Sequence, residues 1–279
     1  MNISQAIADA KNQLHGFTDS VQADVELLLC HVLECNRTWL HTWPEKELTH
    51  EQITHFKTLI NKRREHQPVA YLTGKRGFWS FELDVNESTL IPRPETELLV
   101  ENALEKIPPD STMKILDLGT GSGAIALAIA HERPYCHVTA IEQSAAALEI
   151  AINNSQSLNL KNITFIHGNW FEPVQGKRFD LIASNPPYIA EQDEHLTQGD
   201  VQHEPLTALA SGKDGLNDIR HLISRASNHL NQNGWLILEH GFDQNKVIQQ
   251  LFTQSGYHQI LQINDLSGHV RVSMGKYDN

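Results

Sequence analysis

Apolar residues along this chain change their period once, and the change divides it. In the N-terminal part they recur at helical spacing: Val21, Val25, Leu28 and Val32 follow Asp19-Ser20, and Ile53, Phe56 and Ile60 follow Thr49. Thr49 and Gln52 form a capping-box pair, and Arg63-Arg64 fall near the end of that helix, where cations suit its dipole. Residues 1 to 73 are therefore expected to form a small all-helical domain. Residues 74 to 90 (GKRGFWSFELDVNESTL) mix aromatics, glycines and alternating polar positions, which predicts a hairpin or an extended linker.

From residue 91 to 279 short apolar runs alternate with helical stretches. The pattern predicts strands at 114 to 118, 137 to 141, 163 to 166, 179 to 183 and 235 to 238, with helices at 122 to 132, 144 to 158 and 217 to 231. Such alternation implies a parallel sheet covered by helices on both faces. Two last runs, 257 to 263 and 270 to 274, are separated only by NDLSGH and are expected to pair antiparallel at the sheet edge. The predicted class is α/β, a doubly wound sheet closed by a terminal antiparallel hairpin.

Composition narrows the choice without deciding it. A chain of 279 residues, 40% hydrophobic and 20% charged, is globular and has room for two domains. No apolar run approaches the roughly 18 residues of a membrane span, and the first residues lack the order of a signal peptide, so a cytoplasmic protein is expected. A formal charge of −12 disfavours a nucleic-acid partner. Cys30, Cys35 and Cys136 lack metal-type spacing, and the sixteen histidines include no HExxH, so no metal is expected.

Two segments carry the chemistry. Asp117-Leu118-Gly119-Thr120-Gly121-Ser122-Gly123 ends the first long strand and opens a helix, and its alternate glycines let a ligand lie against the backbone. The spacing is GxGxG, not the GxGxxG that receives a pyrophosphate, and the leading aspartate repels phosphate but accepts from an ammonium group. That suits the amino-acid end of S-adenosyl-L-methionine. Glu142 closes the next strand, where an acid can take both ribose hydroxyls, and Asn169-Trp170 follow the third, offering an amide and an indole to adenine.

Asn185-Pro186-Pro187-Tyr188 follows the fourth strand, which brings it beside the glycine loop. An amide nitrogen is a poor nucleophile because its lone pair is delocalised. If the Asn185 side-chain oxygen and the Pro186 carbonyl each accept one N–H, that lone pair can turn toward a sulfonium methyl. The prolines offer no competing donor, and Tyr188 is expected to wall the planar group. The turn alone permits either a side-chain amide or an adenine amino group.

The chain resembles the HemK/PrmC family of peptide chain release factor glutamine methyltransferases over essentially its whole length. The likeness rests on LIPRPETE at 90 to 97, DLGTGSGAIALA at 117 to 128, NWF at 169 to 171, NPPYIAEQD at 185 to 193 and GDVQHEPLTAL at 199 to 209. The resemblance implies a class I S-adenosylmethionine-dependent methyltransferase fold with a seven-stranded, mostly parallel sheet and a small N-terminal all-α, partner-binding domain. It implies N5-methylation of the glutamine in the Gly-Gly-Gln loop of class I release factors, in support of translation termination. By the same likeness the glycine loop, Glu142, Trp170 and Asn185 line the cofactor. Arg93, Glu95 and Thr96 shape the pocket mouth, with an interdomain salt bridge as the plainer role for Arg93. Glu142 and Asn169 stand where the family more often has aspartate. A ribosomal-protein glutamine methyltransferase, or an adenine-N6 methyltransferase acting on DNA, is the alternative reading.

Overall fold

A computed structural model describes residues 1–278 and divides into two compact units. The first is Met1–Lys75 together with the short segment Thr197–His203; the second is Arg76–Leu196 and the chain from Glu204 onward. The first unit contains α1 (Ile3–Leu14), α2 (Val21–Leu33), α3 (Arg37–Thr42), α4 (His50–Arg64) and α5 (Val69–Thr73). Each long amphipathic helix places one apolar stripe inward, so Ile3, Leu14, Leu28, Leu29, Phe56 and Ile60 form a common core. The Thr49 capping box is present, with reciprocal bonds to Gln52, and Asn2 with Gln5 forms a second one at α1.

Arg63 falls in the last turn of α4, as expected, but does more there than complement the helix dipole. It is 5% exposed, and its guanidinium donates to Asp24 at 2.7 Å, to Asp200 at 2.5 Å and to the Gln67 carbonyl at 3.2 Å. Asp24 is itself buried, and Asp200 belongs to the distant segment that joins this unit. The sequence spacing could not reveal that partner, which lies more than a hundred residues away.

In the second unit β1 (Lys75–Phe78), which begins on the last residue of the first, pairs with β2 (Phe81–Asp84) as a two-stranded hairpin, where the alternating texture predicted one. Then follow α6 (Pro94–Lys106), β3 (Lys114–Leu118), α7 (Ala124–Glu132), β4 (His137–Glu142), α8 (Ala145–Ser157), β5 (Ile163–His167) and β6 (Phe179–Ser184). The chain closes with α9 (Asn217–Ala226), β7 (Leu230–Glu239), α10 (Asn245–Gln254), β8 (Tyr257–Asn264) and β9 (Val270–Tyr277). The seven strands lie in the order β5-β4-β3-β6-β7-β9-β8, parallel as far as β7, with β9 antiparallel to both β7 and β8.

Side chains alternate across the sheet, so each strand feeds two cores. Ile115, Leu181 and Ala183 pack with the buried, alanine-rich run 124–130 of α7 on one face, while Leu116, Leu118 and Ile182 pack with Ile219, Leu222 and Phe252 on the other. The helix expected over 217 to 231 stops at Ala226, and Leu230 already belongs to β7. The polar run Asn231 to Gly234 reads as a turn, yet Leu230 pairs with Phe179, Gly234 pairs with Tyr277, and Asn231 donates to Asp180 at 2.7 Å. Backbone pairing on both sides overrode local composition there.

Strand order reverses between β3 and β6. The carboxyl ends of β3, β4, β5, β6 and β7 therefore share one edge, and the reversal opens a crevice there. Among the described residues no helix is long and apolar enough to cross a membrane.

Replacing Arg63 by methionine keeps much of its packing but strands the buried Asp24 carboxylate. Chemical denaturation is expected to show a loss of about 3 to 5 kcal/mol. A change below about 1 kcal/mol, the size of an exposed pair, would show that the buried contact contributes nothing.

Candidate functional site

The crevice begins with the loop from β3 to α7. Gly119, Gly121 and Gly123 have φ of 70°, 58° and 92°, a region that other residues rarely occupy. At Gly119 a side chain would also press on the Trp170 ring, 3.3 Å from where its Cβ would stand. Gly123 has a packing role: its Cβ would lie 2.8 Å from Leu127 of its own helix. The loop is tied to the next strand, since Gly119 and Thr120 N–H groups both donate to the Ile141 carbonyl, at 2.9 and 3.0 Å.

Glu142 ends β4 and faces the loop. One carboxylate oxygen accepts from Gly121 N–H and the other from Ser144 N–H, each at 2.9 Å, which fixes the plane of the carboxylate and leaves lone pairs for further donors. Trp170 follows β5 in the left-handed region, φ 44°, a strained backbone of the kind that clusters at ligand sites.

One pocket collects these groups. Gly119, Gly121, Glu142, Asn169, Trp170, Asn185 and Pro187 all line it, so seven of the predicted residues, drawn from the ends of four strands, share one cavity. Asp117, Thr120, Ser122, Gly123, Pro186 and Tyr188 are not on its wall. Ser88, Thr89 and Leu90 complete one side, and Pro205, Thr207 and Ala208 another. Those last three lie in the GDVQHEPLTAL segment, so the signal was in the sequence although no role attached to them.

Behind the wall lie two unsatisfied atoms. Asp117 is fully buried; its Oδ2 accepts from the Thr120 hydroxyl at 2.5 Å, while Oδ1 has no hydrogen-bond partner. Asn185 Oδ1 is likewise buried and without a partner. Its Nδ2 donates to Thr96 Oγ1 at 3.2 Å; that hydroxyl donates to Glu239 Oε2 at 2.7 Å, and Tyr188 Oη approaches Glu239 Oε1 at 3.4 Å. Buried acceptors without donors cost free energy and occur where a ligand supplies the donor. Burial pushes the Asp117 carboxyl up to about 7 against the pull of Thr120, and burial raises Glu239 to about 7 as well.

The Asn185 to Tyr188 turn is held from both ends. Ser184 Oγ donates to the Leu118 carbonyl at 2.7 Å, joining the ends of β6 and β3. The Tyr188 carbonyl accepts from Gln244 Nε2 at 2.9 Å, and Gly215 passes so close that a Cβ there would stand 2.2 Å from that carbonyl. Ile189 then forms a parallel bridge with Ala210.

The junction residues differ from expectation. Thr96 sits in the first turn of α6, is 3% exposed, bonds to Asn185 and does not line the pocket. Arg93 pairs with Glu204, which also accepts from Ile91 N–H at 3.0 Å, and both partners belong to the same unit. The interdomain bridge expected for Arg93 is thus an internal one. Sequence reasoning also missed Glu239, although an acid at the carboxyl end of a buried strand is the signal that identified Glu142.

Known proteins resemble the chain closely. Family models match residues 5–74, described as the PrmC N-terminal domain, and residues 94–212, described as a methyltransferase small domain. A release factor glutamine methyltransferase of Xylella fastidiosa (strain Temecula1 / ATCC 700964) is 48% identical over 255 residues, covering 91% of this chain and 93% of that one. That of Escherichia coli (strain K12) is 44% identical over 277 residues, 99% of both. In fold, a 16S rRNA N2 methyltransferase of T. thermophilus, solved in complex with AdoMet and guanosine, superposes with a TM-score of 0.51 at 18% identity, over 72% of this chain and 49% of that one.

Asp117 and Glu239 hold protons in the folded chain up to about pH 7, whereas the unfolded chain releases them near 4. A carboxyl raised on folding stabilises most at low pH and loses that contribution as pH rises through the window. The ligand-free melting temperature is therefore expected to lose this contribution between about pH 4 and pH 7, and less steeply in Asp117→Asn. Equal slopes in the two proteins would mean that Asp117 does not titrate in that range.

Proposed function

The chain belongs to the release factor glutamine methyltransferases, and from that premise we propose how its pocket transfers a methyl group to the glutamine N5 amide in the Gly-Gly-Gln loop of class I release factors. The observation that carries the reading is Asn185 Oδ1, a buried acceptor with no donor of its own on a residue that lines the pocket. A substrate carboxamide N–H supplies that donor. The Pro186 carbonyl takes the second N–H, and together they hold the nitrogen with its lone pair turned out of conjugation.

S-adenosyl-L-methionine fits the remaining groups and supplies, when bound, an electrophilic sulfonium methyl. Asp117 Oδ1 is an unpaired acceptor for the ammonium group, Glu142 accepts from the ribose, and Trp170 with Asn169 meets the adenine. The open backbone at Gly119 and Gly121 allows close approach. Thr120, Ser122 and Gly123 shape that loop: Thr120 anchors Asp117, and the Ser122 carbonyl accepts from Asn154 at 2.9 Å. Proline at 186 and 187 leaves the turn with no N–H to compete with the substrate. No strong base is required, because the amide N–H becomes acidic as the new bond forms. The chain's contribution is placement and charge complementarity, and placement alone is worth on the order of 7 to 11 kcal/mol.

Purified protein with radiolabelled cofactor is expected to label a class I release factor, and Gln→Ala in the acceptor's Gly-Gly-Gln loop to abolish the label. Labelling of duplex DNA or of a ribosomal protein in preference, or persistence of the signal with the substituted acceptor, would overturn the assignment. Asn185→Ala is expected to lower kcat by roughly 10²- to 10³-fold, with cofactor affinity nearly unchanged by calorimetry.

Asp117 must be ionised to receive an ammonium group. Cofactor affinity is therefore expected to weaken below about pH 7, by roughly tenfold per pH unit at most. Calorimetry at pH 6 and pH 8 measures it; a pH-independent constant in the wild type would remove Asp117 from the ammonium site.

A further inference from the structure

The acceptor reading above requires Asn185 to face the pocket with its oxygen, and a carboxamide has two ends of nearly equal shape. Turned over, Asn185 would present two donors to a substrate N–H and repel it. The group that sets the orientation lies on the other side of the amide. Asn185 Nδ2 is 3.2 Å from Thr96 Oγ1, and Thr96 Oγ1 is 2.7 Å from Glu239 Oε2.

Proton counting makes this chain one-way. A threonine hydroxyl has a single proton, and once Glu239 is ionised, above about pH 7, its carboxylate only accepts, so that proton goes to Glu239. The face of Oγ1 toward Asn185 then carries only lone pairs and can pair only with N–H. Thr96 is 3% exposed and Glu239 1%, so water offers neither group an easy alternative. The second Glu239 oxygen faces the Tyr188 hydroxyl at 3.4 Å, which ties the same carboxylate to the far end of the turn.

We propose that Thr96 and Glu239 are positioning residues of the methyl transfer: a hydroxyl committed to the Glu239 carboxylate fixes the Asn185 amide with Oδ1 toward the substrate. The two residues touch neither cofactor nor acceptor. Thr96 comes from the first turn of α6 and Glu239 from the end of β7, so two elements outside the glycine loop and the Asn185 turn aim the Asn185 amide.

The test uses the whole chain, radiolabelled cofactor and a release factor. Thr96→Val, close in shape but without the hydroxyl, is expected to lower kcat by roughly tenfold to a hundredfold, with the cofactor dissociation constant unchanged. Thr96→Ser, which restores the hydroxyl, is expected to recover most of the rate. In an Asn185→Ala background Thr96→Val is expected to have no further effect, because the amide it orients is gone. Should Thr96→Val not fold, Glu239→Gln tests the same point. Its amide can donate to Thr96 and free the hydroxyl proton for Asn185 Oδ1, so kcat is expected to fall while the melting temperature holds. Unchanged kcat in Thr96→Val or Glu239→Gln, or losses that add in the double variant, would overturn the positioning role and leave the acceptor reading standing. Wild-type protein that labels no release factor would overturn that reading, and this one with it.

Discussion

A buried oxygen that could accept a hydrogen bond and does not is costly, and this fold maintains two of them a few residues from its sheet edge. Asp117, one residue before the end of β3, and Asn185, one residue past the end of the neighbouring parallel strand β6, each carry an Oδ1 that lacks a donor. The surrounding architecture makes the cost tolerable. Parallel strands buried on both faces fix the backbone, the Ser184 hydroxyl draws the two strand ends together, and three glycines in left-handed conformations keep side chains out of the space above. Remove the packing and both groups would turn to water.

The same constraint connects stability to function. Burial lifts the Asp117 carboxyl to about 7, so the chain without ligand bears an acid that ionises with difficulty. A bound ammonium group relieves that penalty, and the proposed site therefore gains affinity from a residue that weakens the empty fold. Glu239, equally buried, is raised for the same reason but is held by two hydroxyls, which commits it to an internal role.

The two units divide the work differently. The helical unit holds a buried arginine, one of whose partners, Asp200, arrives from far along the chain. That segment belongs to the stretch whose continuation supplies Pro205, Thr207 and Ala208 to the pocket wall. One loop thus contributes to a charge network in one unit and to the pocket in the other.

Periodicity determined the fold class. Helices before residue 74, a hairpin after it and an alternating parallel sheet with an antiparallel end follow from where apolar residues recur, because burying a face demands that recurrence. The glycine spacing, Glu142 and the Asn185 turn were legible because close ligand approach and an acceptor reserved for a ligand restrict residue types locally. Tertiary structure alone decided which acceptors would be left without donors. It buried Arg63 at its helix end and Thr96 beneath the Asn185 turn, extended β7 through a polar run, and set Glu239 behind Asn185. Each of these depends on partners far apart in the chain. Local spacing limits which chemistry a residue can perform, whereas burial and proton accounting, which need every neighbour, determine what it does.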